Sequence, residues 1–254
     1  MYLLLLNLVA MHCSFFSKLV IVCVLISVTL LGCNGQKKTD ADALGQSGKI
    51  VLADLSTLNR ARLAEFIDSI SVHGPRVIGI NAIFDSLSDG RGDSLLALSI
   101  MNSGRVVLVS GVENSSGKYH RSNSIFRMGA KGEGVQSNLV NDRNLALEYV
   151  PLYENSEGQQ MNFATGIALW FTEDDRIWDG LRVNKIESLD FETYFQDFTE
   201  IAYKDADLQG IDDKIVLIGD LSGNTDLINV KVDGKIIQSN YTELYANIIE
   251  RLVR

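Results

Sequence analysis

Four short apolar runs constrain the fold of this chain more than any other feature of its sequence. KIVLADL at 49–55, RVIGINAIF at 76–84, RVVLVS at 105–110 and KIVLIG at 214–219 are apolar at consecutive positions. A strand with one wet face alternates apolar and polar residues with a period of two, so consecutive apolar residues indicate strands buried on both faces. Helical spacing separates the first three runs. Leu58, Ala61, Leu63, Ala64, Ile67, Ile70 and Ser71 recur at intervals that place them along one side of a helix. His73, Gly74 and Pro75 end that helix, and a second is expected over 93–101. Doubly buried strands alternating with helices predict an α/β fold, a single domain with a central mixed, largely parallel sheet flanked by helices.

The middle of the chain is written differently. Turns rich in Gly, Asn and Ser bracket 119–126, 134–140 and 145–153, which predicts antiparallel hairpin strands there. A helix over 162–170, a short strand over 183–186 and an amphipathic helix over 243–252 complete the core, the last with Leu244, Ile248, Ile249 and Leu252 on one side. KIVLADLS at 49–56 and KIVLIGDLS at 214–222 are nearly the same string, with one inserted glycine. Two readings of this likeness stay open. Both segments are central strands ending at one edge of the sheet, or any two buried strands built from Ile, Val and Leu look alike.

Lys18 precedes an uncharged stretch, 19–32, that ends Leu30, Leu31, Gly32, Cys33. A bilayer span needs about 20 residues, so this run suits the apolar region of a secretory signal better. A small residue directly before a cysteine, with leucines behind it, resembles the bacterial lipoprotein signal, or lipobox. The resemblance implies cleavage before Cys33 and acylation of its thiol and freed amine. On that reading 1–32 is a signal peptide, with Met11 the better start because 11–18 supplies the basic n-region that 1–10 lacks. Cys33 opens a flexible polar tether over 33–48, and the folded domain occupies 49–254. An uncleaved anchor helix beginning near Phe15 is the alternative. Either way the domain is expected in the cell envelope, lipid-anchored or helix-anchored on the extracytoplasmic side of a bacterial membrane. Cys13, Cys23 and Cys33 are the only cysteines, so 34–254 holds no thiol and its stability must come from the core.

Of the 23 basic and 32 acidic residues only Lys18 lies within 1–32, leaving the remainder with a net charge of -10. That acidity excludes a nucleic-acid binder and electrostatic adhesion to an anionic membrane surface. Several carboxylates follow strands: Asp54, Asp85, Asp220 and Asp226. The carboxyl ends of parallel strands form the usual ligand crevice of α/β sheets, so these four are expected to converge there, with Asn81 inward beneath them. Such a cluster suits a basic ligand or a cation of unspecified identity. The competing reading is that each aspartate caps a turn or helix. Catalytic signals are wanting. Neither His73 nor His120 has metal-ligand spacing to a second His or Cys, no G-x-S-x-G or P-loop occurs, and GAKGEG at 129–134 lacks the flanking strand and helix of a dinucleotide loop. No catalytic residue and no cofactor is expected.

The order of segments resembles the CHASE-two class of extracellular sensory domains, found in bacterial receptor kinases and nucleotide cyclases. The matching residues span about 49–252: IVLAD at 50–54, a helix containing Arg60, GPRVIG at 74–79 running on to Phe84, GRVVL at 104–108, YVPL at 149–152 before the apolar 163–169, Ile201 and Tyr203, KIVLIG at 214–219, Asp226-Leu227, and ELYAN at 243–247. Two departures stand out. Asn81 occupies a position where members usually carry an acid, and the Trp/Pro-rich stretch that members carry after the first strand has no counterpart at 57–62. The resemblance implies a sensory, ligand-binding fold. Members usually continue into membrane spans and a cytoplasmic output domain; here the chain stops at Arg254, so it is expected to act through an envelope partner. An envelope structural or interaction protein without a small ligand, or an extracytoplasmic hydrolase using the strand-end aspartates, are the alternatives.

Overall fold

A computed structural model describes residues 48–88, 90–113, 116–140, 145–189, 191, 196–203, 208, 210–222 and 227–254. The four apolar runs become the centre of a seven-stranded sheet. It contains β1 (Ile50–Asp54), β2 (Val77–Ile80), β3 (Val106–Val112), β4 (Tyr119–His120), β5 (Gly132–Val135), β11 (Thr199–Ile201) and β12 (Ile215–Gly219). The order is β11-β1-β12-β2-β3, and β3 pairs in addition with β5 and, at its carboxyl end, with β4. Every pairing is parallel except β3 with β4. The fold is therefore α/β around a mixed, largely parallel sheet, as the consecutive apolar residues require.

Each strand feeds two cores. Val51, Ala53, Ile78, Ile80, Val216 and Ile218 pack on one face against α1 (Arg60–Val72) and α2 (Gly90–Ser103). Ile50, Leu52, Val77, Val107, Ile215 and Leu217 pack on the other against α4 (Phe163–Thr172) and α6 (Tyr241–Leu252). With both faces covered, apolar residues follow one another along these strands, which is why the runs do not alternate. Between them, α3 (Ser124–Arg127) and α5 (Asp175–Gly180) are short connectors.

A second, five-stranded sheet adds β6 (Asn138–Val140), β7 (Leu145–Tyr149), β10 (Glu187–Ser188), β13 (Ile228–Val232) and β14 (Lys235–Ser239), and β8 (Leu152–Asn155) pairs with β9 (Gly158–Met161) as a separate hairpin. The antiparallel pair β6–β7 lies where hairpin strands are expected, whereas the β8–β9 hairpin lies mostly beyond the expected 145–153. Four expectations are corrected. Gly132–Val135 is no hairpin strand but a parallel member of the central sheet, and a Cβ on Gly134 would come within 2.5 Å of the Phe163 backbone, so only glycine lets β5 pass under α4. The stretch 119–126 is strand only at its start, because Asn123 caps α3. Val183 makes an isolated bridge to Leu152, and the strand near it is Glu187–Ser188. Finally, β2 stops at Ile80, and 81–88 leave the sheet. The β13–β14 hairpin was not anticipated, although Asp233-Gly234, both at positive φ, is the usual pair for a two-residue turn. Among the described residues, no helix is long and apolar enough to cross a membrane.

Candidate functional site: a crevice at the carboxyl edge of the sheet

The repeated KIVL strings lie side by side. β1 and β12 pair in parallel with Asp54 opposite Gly219, so the two segments do end at one edge of the sheet. The Leu55 N–H donates to the Gly219 carbonyl at 2.8 Å and the Asn81 N–H to the Ile218 carbonyl at 2.8 Å, so three chains turn away from the sheet at one level. Asp54 joins two of them. Its Oδ1 accepts from the Ser56 N–H at 3.0 Å and the Leu221 N–H at 3.1 Å, and its Oδ2 from the Ser56 hydroxyl at 2.5 Å. Partial burial pushes this carboxyl up. The Ser56 and Leu221 donors outweigh that and hold it below the ordinary carboxylate value, against a small opposing effect of Asp220. Asp220 likewise accepts from the Ser222 N–H at 2.9 Å and hydroxyl at 2.6 Å.

The glycine inserted in the second string has a steric reason. A Cβ on Gly219 would collide with Thr242 Oγ1, so its absence lets the first turn of α6 sit directly on the end of β12. Asn240 caps that helix through a reciprocal box with Glu243: the Glu243 N–H donates to Asn240 Oδ1 at 2.9 Å, and the Asn240 N–H donates to Glu243 Oε2 at 3.3 Å. Asn81 reaches across from β2, its Nδ2 donating to Thr242 Oγ1 at 3.0 Å.

These elements enclose a crevice of about 270 Å³. Its polar lining comes from Asn81, Gln136, Asp220, Asn240, Tyr241 and Thr242, and Ile83 and Val109 supply its apolar wall. It lies at the carboxyl ends of parallel strands, where α/β sheets bind ligands. Its polarity is mixed. The N-terminus of α6 contributes partial positive charge, Asp220 a negative one, and the amides and hydroxyls both donors and acceptors.

Of the residues expected at this edge, Asn81 and Asp220 line the crevice, whereas Asp54 and Asp85 are not among its lining residues. Asp54 ties the strand ends together, as described. Asp85 lies 3.0 Å from His120 Nε2, and the His120 and Ser86 hydrogen bonds hold its exposed carboxyl below the ordinary range. Asp226 and Cys33 lie outside the described residues. Among the described residues, no group of three or more His, Cys, Asp or Glu is disposed to hold a metal ion. Gln136, Tyr241 and Thr242 were not anticipated as site residues. For the last two the signal was readable: Asn240 followed three residues later by Glu243 marks a helix start directly after a strand. Gln136 had none, because its place depends on β5 joining the central sheet.

A family model for the CHASE2 domain matches residues 38–254 of the chain. No curated protein and no solved structure matches it.

Proposed function

Because the chain belongs to the CHASE2 domain family, a family of extracellular sensory domains, we propose that it is an extracytoplasmic ligand-sensing module whose ligand sits in the carboxyl-edge crevice. The observation that carries this reading is the meeting of Asn81, Gln136, Asp220 and Thr242 around one small polar cavity at the ligand end of the sheet. The mixed polarity favours a small molecule carrying donors and acceptors together, such as an amino acid or a sugar, over a bare cation. The chain's net charge of -9 favours a ligand that is neutral or basic. In this reading Cys33 is acylated and holds the module on the membrane, and an envelope protein partner receives its ligand-dependent state. No reaction step is required of any residue.

The test is the thermal unfolding midpoint against amino acids, sugars, polyamines and divalent cations at millimolar concentration. At least one organic class should raise the midpoint saturably, and Gln136→Ala should remove the shift while leaving the ligand-free midpoint near its original value. A row of exposed apolar side chains on α2, Leu95, Leu98 and Met101, favours the second reading, an interaction protein without a small ligand. A flat response to the whole panel would leave that reading standing.

A further inference from the structure

A second cavity, of about 370 Å³, lies away from the crevice, where α4, α5 and α6 meet the strands β7 and β10. Its volume falls within the range of about 300–1,000 Å³ found for small-molecule sites. Ile177, Leu181, Leu189 and Ile248 form its walls. Three hydroxyl-bearing residues, Thr165, Tyr149 and the exposed Ser188, interrupt that apolar lining. Thr165, on α4, is fully buried, yet its Oγ1 has no hydrogen-bond partner. A buried hydroxyl without a partner loses its hydration for no return, so such groups are uncommon unless something else satisfies them. The second is Tyr149, at the end of β7. Burial above all, with Glu187 adding to it and Arg251 opposing, pushes its hydroxyl up to about 12, so at neutral pH it keeps its proton and can donate. No hydrogen bond engages that hydroxyl among the described residues.

Three charged residues line the cavity, Arg176, Glu187 and Arg251, and each is already engaged, Arg251 Nη1 donating to the Ser188 carbonyl at 3.5 Å. Arg176 is held by Asp174, with Nε 2.9 Å from Oδ1 and Nη2 2.6 Å from Oδ2, and Glu187 is paired with Lys185 at 2.6 Å. The lining therefore offers apolar walls and the buried hydroxyls of Thr165 and Tyr149, with each charge at its border held by a partner. We propose that this cavity is a second binding site, which takes a neutral, largely apolar small molecule whose oxygen acceptor is bound by the hydroxyls of Thr165 and Tyr149. The site is separate from the crevice, shares no lining residue with it, and does not depend on what the crevice binds.

Three probes with one shape and different heads test this: benzylacetone, a ketone; butylbenzene, the matching hydrocarbon; and hydrocinnamate, the matching anion. Binding is measured by titration calorimetry on the full chain in lipid nanodiscs, with empty discs subtracted. The ketone should bind saturably, roughly tenfold tighter than the hydrocarbon, which is the worth of one buried hydrogen bond. Hydrocinnamate should bind more weakly than the ketone. Thr165→Val keeps the side chain's shape and removes only the unpartnered hydroxyl, so the protein should fold as before while the preference for ketone over hydrocarbon shrinks. Tyr149→Phe should shrink it as well, and Gln136→Ala in the crevice should leave it unchanged. The proposal is overturned if the ketone does not bind, if ketone and hydrocarbon bind equally, or if the preference survives both hydroxyl substitutions. It is equally overturned if the anion binds as tightly as the ketone, or if Gln136→Ala abolishes ketone binding.

Discussion

Asp54 shows how a residue that invites a functional reading takes on a structural one. An acid at the end of a central strand can serve a ligand or secure the chain's exit from the sheet, and its three donors, two on Ser56 and one on Leu221, put it to the second use. This has a consequence in pH. The carboxyl lies below its ordinary value of 3.8 in the folded state, so folding favours the ionised form. The stabilisation is fully present above that value and is lost as pH falls through the lower folded value. Asp54→Asn should therefore lower the unfolding midpoint at neutral pH. Its midpoint should also fall less than that of the unaltered protein on acidification below the ordinary value. Parallel acid limbs for the two proteins would show that the Ser56 and Leu221 donors do not favour the charged form.

At the scale of elements, the site depends on how closely α6 approaches β12. Gly219→Ala places a methyl group against Thr242 and should destabilise the protein by about 1–3 kcal/mol, the usual cost of overpacking. Gly219→Ala combined with Thr242→Ala should recover most of that loss. Denaturant unfolding of the four-protein cycle checks this, and strict additivity would mean that the two residues do not compete for one space. The elements most legible in sequence were those with the strongest period: the four doubly buried strands, and α1, whose Asn59 cap and Gly74 stop lie within two residues of the expected ends. What could not be read depended on tertiary partners. GEGV at 132–135 has no β-branched run, and it becomes a central-sheet strand because its missing side chains let α4 lie close. The crevice was half legible for the same reason. Asn81 and Asp220 follow recognisable strands, whereas Gln136 follows one that only the assembled sheet creates.

Across the whole molecule, residues 34–254 contain no cysteine, so no disulfide assists the two apolar cores on either face of the sheet. The proposed attachment to the membrane rests on Cys33. Cys33→Ser should block processing and leave a larger precursor that no longer incorporates labelled fatty acid; normal processing and labelling of the variant would contradict the lipid anchor. The central claim is that this CHASE2 domain holds its ligand where three chains leave the carboxyl edge of the sheet. Amide hydrogen exchange of the full chain, with and without whichever polar molecule raises its unfolding midpoint, tests that claim most directly. The account predicts slowed exchange at 81–83, 136, 220–222 and 240–242 together, because the ligand closes one cavity to which all four segments contribute. Protection confined to other segments, with these four unchanged, would contradict it.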